Sequence, residues 1–387
     1  MLIDFLRVDI FGGELGEFTK ENITEDNLTE IYNLAQKHDL AHVVADILFK
    51  TKLMPEVSIS ESYRAALLIA LARYQRLSFE LEKVCNLLEE NGIPHMPLKG
   101  SVIRKYYTEP WLRTSGDIDI LVKPEDLEKA GNLIINEFNY IKSGVSSHDW
   151  CLFTEDRIIV ELHYSLIEQG NVQGRKRHKW YCQCLENIWD NLILAENKQY
   201  KYTMSNEFFY FYHIAHMAKH FEIGGCGLRT FIDLQILNDK MEYNQAEEKS
   251  LLDNSGLFKF EKYAKGLANV WFSDGEYNET VKFMEEYILS AGAFGNVENK
   301  VAVQQLKHGS KFKYALKRVW LPYERMMFYY PSVQNKKWLM PVFQIRRWFK
   351  LLFLGGVKRS VKELKVNASI TVSESEIIKR MLDELGL

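Results

Sequence analysis

Apolar positions along the first ninety residues recur at helical spacing. Leu28, Ile31, Leu34 and Ala35 form one stripe, and Leu40, Val43, Val44 and Ile47 continue it past a break at His38-Asp39. The pattern predicts helix over 26–50, interrupted once. A second, longer helix is expected from Ser60, as N-cap, to Glu90, where Asn91-Gly92 supplies the stop. The texture changes at Ile93. Ile93 to Ser101 (IPHMPLKGS) reads as a short strand and a Gly-Ser turn, with helix expected over 102–107. Asp117-Ile-Asp-Ile-Leu-Val122 alternates strictly and is β-branched, which marks a strand. Lys123-Pro124 ends it, and Pro124-Glu125-Asp126 opens a helix to Phe138. Residues 149–153 and 157–164 read as an antiparallel pair joined at Thr154-Glu155-Asp156.

From Asn206 the period returns to helical. Segments 206–221, 228–240, 258–272 and 277–289 are the clearest, and Ala291-Gly292-Ala293-Phe294-Gly295 opens a loop. The fold class expected is α+β: a small mixed β-sheet flanked by helical regions on both sides. Four regions follow: 1–92 helical, 93–200 the sheet core, 201–310 helical, and 311–387 basic and aromatic. No internal repeat is evident.

Composition adds constraints. With 47% hydrophobic and 26% charged residues the 387-residue chain is an ordinary globular one. A net charge of −3 argues against a general nucleic-acid binder. The charge is uneven, however. Residues 311–365 hold fourteen Lys and Arg against Glu324 and Glu363, a local +12. Either solvated faces with internal pairing or a partner surface explains it. Tyr329, Tyr330 and Trp338, interleaved with Lys336, Lys337, Arg346 and Arg347, would suit a polyanionic acceptor. Five cysteines without a CxxC pair argue against a disulfide framework; Cys182-Gln-Cys184 reads first as a pair of thiols and second as a metal contribution. The N-terminus lacks a basic segment followed by a long apolar run, so no signal peptide is expected. The apolar stretch 348–357 is too short to span a bilayer. A cytoplasmic location is the expectation.

The chemistry concentrates in three places. Asp117 and Asp119, at i and i+2 of a strand, share one face, while Ile118, Ile120 and Val122 share the other. Two like charges side by side repel, and a divalent cation is one compensation; an exposed strand edge is another. In Ile159-Val-Glu161-Leu-His163, Glu161 intrudes on an apolar strand. If that strand lies beside the first, Glu161 becomes a third carboxylate, and such sets hold two Mg²⁺ ions in phosphoryl-type transfer. Lys99-Gly100-Ser101 offers a close-approach glycine, a hydroxyl and a cation for phosphate oxygens. Arg113 is a further candidate for triphosphate charge.

Taken together, Leu98-Lys99-Gly100-Ser101, Leu112-Arg113, Asp117-Ile-Asp119-Ile-Leu-Val and Val160-Glu161-Leu-His163 resemble the nucleotidyltransferases of the DNA polymerase beta superfamily. More narrowly they resemble the bacterial uncharacterised nucleotidyltransferase family. The 15-residue spacer between Ser101 and Asp117 is usual for that family, whereas its third carboxylate is often Asp where this chain has Glu161. Softer likeness extends to His38-Asp-Leu, to His216-Met-Ala-Lys-His220, to Leu228-Arg229 with Asp233, and to the segments around 294–296 and 330–347.

The resemblance implies Mg²⁺-dependent (or Mn²⁺-dependent) transfer of a nucleoside monophosphate from an NTP to an acceptor hydroxyl. Asp117, Asp119 and Glu161 would be the metal-binding and catalytic residues, and Lys99, Gly100, Ser101 and Arg113 would hold the nucleotide. The acceptor, whether small molecule, sugar, protein or RNA, is not legible, nor is the oligomeric state. Two rivals stand beside this reading: a non-catalytic nucleotide-binding scaffold, and a toxin-like enzyme acting on RNA. His163, His216 and His220 have no assigned role, and Arg229 with Asp233 reads as a structural ion pair along one helix.

Overall fold

A computed structural model describes residues 1–145, 149–166, 184–185, 187–293, 295–308, 310–323, 326–327, 330–353 and 357–387. Cys182, Phe294, Glu324 and Tyr329 lie outside the described residues. The chain divides into two units, Met1–Ala215 with Leu228–Tyr277, and His216–Gly227 with Asn278–Leu387.

The first unit opens with helices α1 (Leu2–Phe11), α2 (Glu17–Glu21), α3 (Glu25–Lys37), α4 (Ala41–Lys50) and α5 (Ile59–Glu90). The expected break at His38-Asp39 is present, and Asp39 turns the chain with φ +58°. The expected N-cap at Ser60 is not. The helix has already begun at Ile59, and the Ser60 hydroxyl donates back to Val57 O at 2.7 Å.

The sheet follows: β1 (His95–Pro97), β2 (Asp117–Val122), β3 (Ile141–Val145), β4 (Asp149–Phe153) and β5 (Ile159–His163). Its order is β1-β2-β5-β4-β3. Only β2 and β5 run parallel among these neighbours; β1 with β2, β5 with β4, and β4 with β3 are antiparallel. The fold is thus α+β around a mixed sheet. β3 carries a register shift between Lys142 and Gly144. Helix α6 (Gly100–Ile103) follows β1, and α7 (Leu127–Phe138) follows β2.

One face of the sheet is the core. Ile118, Ile120, Val122, Trp150, Leu152, Val160 and Leu162 pack against Leu77, Val84 and Leu88 of α5 and Leu127, Ala130 and Ile134 of α7. At about 25 cal/mol per Å² of apolar surface, these side chains supply the main force that fixes the register. Gly131 of α7 admits the indole: a Cβ there would lie 2.4 Å from the Trp150 ring. Since the period of a strand is two, the same packing turns Asp117, Asp119, Glu161 and His163 to the opposite face.

Strands β6 (Leu192–Leu194) and β7 (Tyr202–Met204) form a separate antiparallel ribbon. Helices α8 (Asn206–Phe221), α9 (Leu228–Lys240), α10 (Gln245–Ser255) and α11 (Phe258–Phe272) come next. Phe231 of α9 meets Trp271 of α11 edge to face, and Phe11 stacks on Phe272.

The second unit contains α12 (Glu279–Leu289), α13 (Val297–His308), α14 (Lys311–Val319), α15 (Met340–Phe353), α16 (Val357–Ser369) and α17 (Val372–Glu384). Val301, Ala302, Tyr314 and Ile370 make one small core, and Leu321, Met326, Val333 and Met340 another. Gln305 bonds Asn367, and Arg318 of α14 pairs with Glu363 of α16. Among the described residues no helix is long and apolar enough to cross a membrane.

Candidate active site

The parallel pairing of β2 with β5 sets Asp119 directly opposite Glu161, and Leu121 opposite His163. The condition on which the third carboxylate depended is therefore met. Asp119 is the centre of the cluster. Its Oδ1 accepts from Lys99 Nζ at 2.7 Å and lies 2.7 Å from His163 Nε2. His163 Nε2 is also 3.4 Å from Glu161 Oε2. Asp119, Glu161 and His163 each offer a donor atom within 4.8 Å of the others. Asp117 shares the face but stands outside that trio, in which His163 is the third donor.

Protonation follows from these contacts. Burial alone would raise the Asp119 carboxyl, but Lys99 and then His163 outweigh it and hold it well below the usual carboxylate range. Asp117 goes the other way. Burial, then the charges of Asp119 and Glu161, push its carboxyl up to about 6, against smaller opposing effects of Lys99 and Arg229. Burial would lower the His163 imidazole, yet its bonds to Asp119 and Glu161 raise it. Tyr212 of α8 is buried beside the cluster. Burial pushes its phenol up to about 12; Lys99 opposes this and Asp119 adds to it.

The turn after β1 carries Lys99 into this site. Leu98 N donates to Asp119 O at 3.0 Å, so the turn runs along the edge of β2. Lys99 adopts φ +49° and ψ −121°, a conformation that L residues rarely hold. Gly100 is needed for space: a Cβ would come within 2.4 Å of Ser115 Oγ. Ser101 lies on α6 just after this turn.

Arg113 is not brought to the carboxylate cluster. Its Nε donates to both oxygens of Asp233 at 2.8 and 3.0 Å, its Nη2 to Asp233 Oδ2 at 2.8 Å, and its Nη1 to Thr114 O. The structure places Arg113, expected at the phosphates, in a buried pair completed by the Tyr107 hydroxyl on Asp233. The expected Arg229–Asp233 pair is corrected. Arg229 Nη1 instead donates to Asp39 Oδ2 at 2.9 Å and to Thr114 O at 3.2 Å. Thr114 Oγ1 donates to Asp39 Oδ2, and Leu228 N donates to His38 Nδ1 at 3.3 Å. The His38-Asp39 break and the start of α9 thus clamp residues 113–114, just ahead of Asp117.

Sequence reasoning left Tyr212, Arg229 and His163 without a part in the site. The signal for His163 was present in the alternation of β5, which puts it on the face of Glu161. Arg229 and Tyr212 carry no local signal, because their nearness to β2 comes from long-range packing. His216 and His220 belong to the other unit, where their Nε2 atoms lie 3.1 Å apart.

The donor chemistry suits a hard divalent cation. Carboxylates on one face leave like charges close together, and the raised Asp117 carboxyl is the direct sign of that crowding. Lys99 and His163 neutralise Asp119, and His163 also meets Glu161, while the charges around Asp117 leave its carboxyl raised.

Comparison with curated proteins and with solved structures finds no match. The family model described as "Uncharacterised nucleotidyltransferase" matches residues 24–273, a span that contains the sheet, the carboxylate face and the clamp around Asp117. With that span covering most of the chain, the protein belongs to the uncharacterised nucleotidyltransferase family.

Proposed function

We propose that the protein transfers a nucleoside monophosphate from an NTP to an acceptor hydroxyl, with a divalent metal held by Asp119, Glu161 and Asp117. The observation that carries this reading is the register placing Asp119 opposite Glu161 on the polar face of β2 and β5. Mg²⁺ or Mn²⁺ at these oxygens would supply positive charge to the phosphate oxygens.

The chain's own groups divide the remaining work. Asp119, held ionised by Lys99 and His163, stays a charged ligand throughout. Glu161, with 28% of its side chain exposed, is the carboxylate that orients the acceptor hydroxyl and takes its proton. The acceptor oxygen bonds to the α-phosphorus as the bond from that phosphorus to the β-phosphate oxygen breaks, and pyrophosphate leaves with the electron pair. The Lys99 ammonium and the backbone and hydroxyl of Gly100-Ser101 face the phosphates. Fixing these groups before substrate arrives lowers the reorganisation required in the transition state.

The test is a screen of α-labelled NTPs against small-molecule, sugar, protein and RNA acceptors, with Mg²⁺ or Mn²⁺ and with chelator. Label transfer that requires the metal supports the reading. NTP binding without transfer to any acceptor class would favour a non-catalytic scaffold, and no NTP binding would remove both.

A further inference from the structure

Helix α15 in the second unit leaves a long apolar stripe facing outward. Its inward side mixes apolar and polar groups: Met340 is buried in a small core against which Phe343 packs, Gln344 is fully buried and donates to Leu321 O at 2.7 Å, and Arg347 donates to Arg318 O and Val319 O at 2.8 and 3.0 Å. The Trp348 indole N–H donates to Val319 O as well. Its outward side is apolar. Val342, Ile345, Phe349, Leu352 and Phe353 are all exposed, Phe349 to 57% and Phe353 to 78%. Their spacing of three and four residues makes a single stripe along the helix.

These bonds tie α15 to the end of α14, which repeats the pattern. Phe312, Leu316 and Val319 of α14 are exposed at i, i+4 and i+7, while Tyr314 is buried. Cations flank both stripes: Lys313 on α14, and Arg346 and Lys350 on α15, are exposed. Trp338, just ahead of α15, is 75% exposed.

The bonds to the Leu321, Arg318 and Val319 carbonyls, with the packing of Met340 and Phe343, hold the helix in this orientation. A contiguous exposed apolar face of this kind marks a contact surface. The identity of the contact follows from the side chains. Phe312, Phe349 and Phe353 offer rings to a base, but Val342, Ile345, Leu352 and Leu316 are aliphatic and have neither a ring nor a donor for a phosphate, so nucleic acid would leave that part of the surface unused. Hydrocarbon would use it. The local +12 over residues 311–365 then selects a negative surface. An amphipathic helix with Phe and Leu on one side and Lys and Arg at its flanks lies in the plane of a bilayer interface.

We propose that the α14–α15 surface docks the protein on an anionic lipid bilayer, the stripe Val342–Phe353 entering the headgroup–acyl boundary while Arg346 and Lys350 meet lipid phosphates. This places the protein on a membrane rather than through it.

The test is vesicle flotation of the full chain with phosphatidylcholine alone and with phosphatidylcholine containing phosphatidylglycerol. Flotation only with the anionic vesicles, weakened by salt, is the result expected. Phe349→Glu with Phe353→Glu should abolish it, and both positions are exposed, so the thermal melt should be unchanged. Arg346→Gln and Lys350→Gln should each weaken partitioning about fivefold. Quenching of tryptophan fluorescence by brominated lipid should fall in Trp338→Phe. Three results would overturn the proposal: no flotation with anionic vesicles, flotation unaffected by the double Phe variant, or a concentration-dependent dimer that this variant dissolves. Salt-sensitive binding to RNA that the double Phe variant abolishes, without flotation, would assign the surface to nucleic acid instead.

Discussion

The Lys99 ammonium lies 2.7 Å from Asp119 Oδ1, on the oxygen that also meets His163. A cation built into the chain thus already sits where a bound metal would have to be shared. This relationship has a consequence. Lys99→Met keeps the apolar stem and removes the charge, leaving Asp119 with His163 alone. Thermal unfolding without metal should cost about 1–3 kcal/mol less free energy, discounted from a fully buried pair because the Lys99 side chain is partly exposed. Millimolar Mg²⁺ should then stabilise Lys99→Met more than the unchanged protein. Equal shifts in both would show that metal does not bind at Asp119.

The amide variants of the three carboxylates separate charge from packing. Asp117→Asn should leave the metal-free protein as stable or slightly more stable at pH 7.5, because the crowding that pushes its carboxyl up to about 6 disappears. Transfer should fall at least about a hundredfold in Asp119→Asn and Glu161→Gln, measured as labelled product at saturating NTP. Full activity in Asp119→Asn would end the metal proposal. For the unchanged protein, an NTP with Mg²⁺ at a hundred times its dissociation constant should add about 2.7 kcal/mol to stability.

How far the sequence reached follows from residue spacing. The β2 alternation is local and strong, so the division between Ile118, Ile120 and Val122 in the core and Asp117 and Asp119 opposite was legible. So were the pairing of β4 with β5 and the bounds of α8, α9 and α11. Strand β3 was missed because Ile141-Lys-Ser-Gly-Val145 contains a bulge and few strand formers. Strands β6 and β7, three residues each, are too short to show a period. The partners of Arg113 and Arg229 were misjudged for another reason. Asp233 is one helical turn from Arg229, which favours the local pair, yet it is 120 residues from Arg113. Tertiary packing buries Asp233, and the bidentate guanidinium is the partner that offsets its desolvation.

That buried pair gives a third expectation. Arg113→Met and Asp233→Asn should each cost about 3–5 kcal/mol, since each leaves a buried partner unsatisfied. In a double-mutant cycle the combined variant should cost less than the two single effects together. Urea unfolding measures all three. Additive losses would mean that the two side chains act independently and that the clamp ahead of Asp117 is held by Asp39 and Arg229.

A fourth expectation concerns pH and lies away from the carboxylate face. Asp9 of α1 and Asp46 of α4 meet in the interior, with Lys50 paired to both. Burial, then the charge of Asp46, pushes the Asp9 carboxyl from 3.8 up to about 7, against a smaller opposing effect of Lys50. The folded chain therefore binds more protons than the unfolded chain between those values. By linkage, the stabilising contribution is full below pH 3.8 and is lost as pH rises through about 7. Asp9→Asn imitates the protonated form at every pH. Its melting temperature should exceed that of the unchanged protein at pH 8, by an amount worth at least about 1 kcal/mol. At pH 5 the gap should narrow, because Asp9 of the folded chain is then protonated, and it should close only below pH 3.8, where Asp9 of the unfolded chain is protonated too. A difference of the same size at both pH values would trace the gain to packing, and a loss at pH 8 would show that the ionised Asp9 is held by Lys50 as a true ion pair.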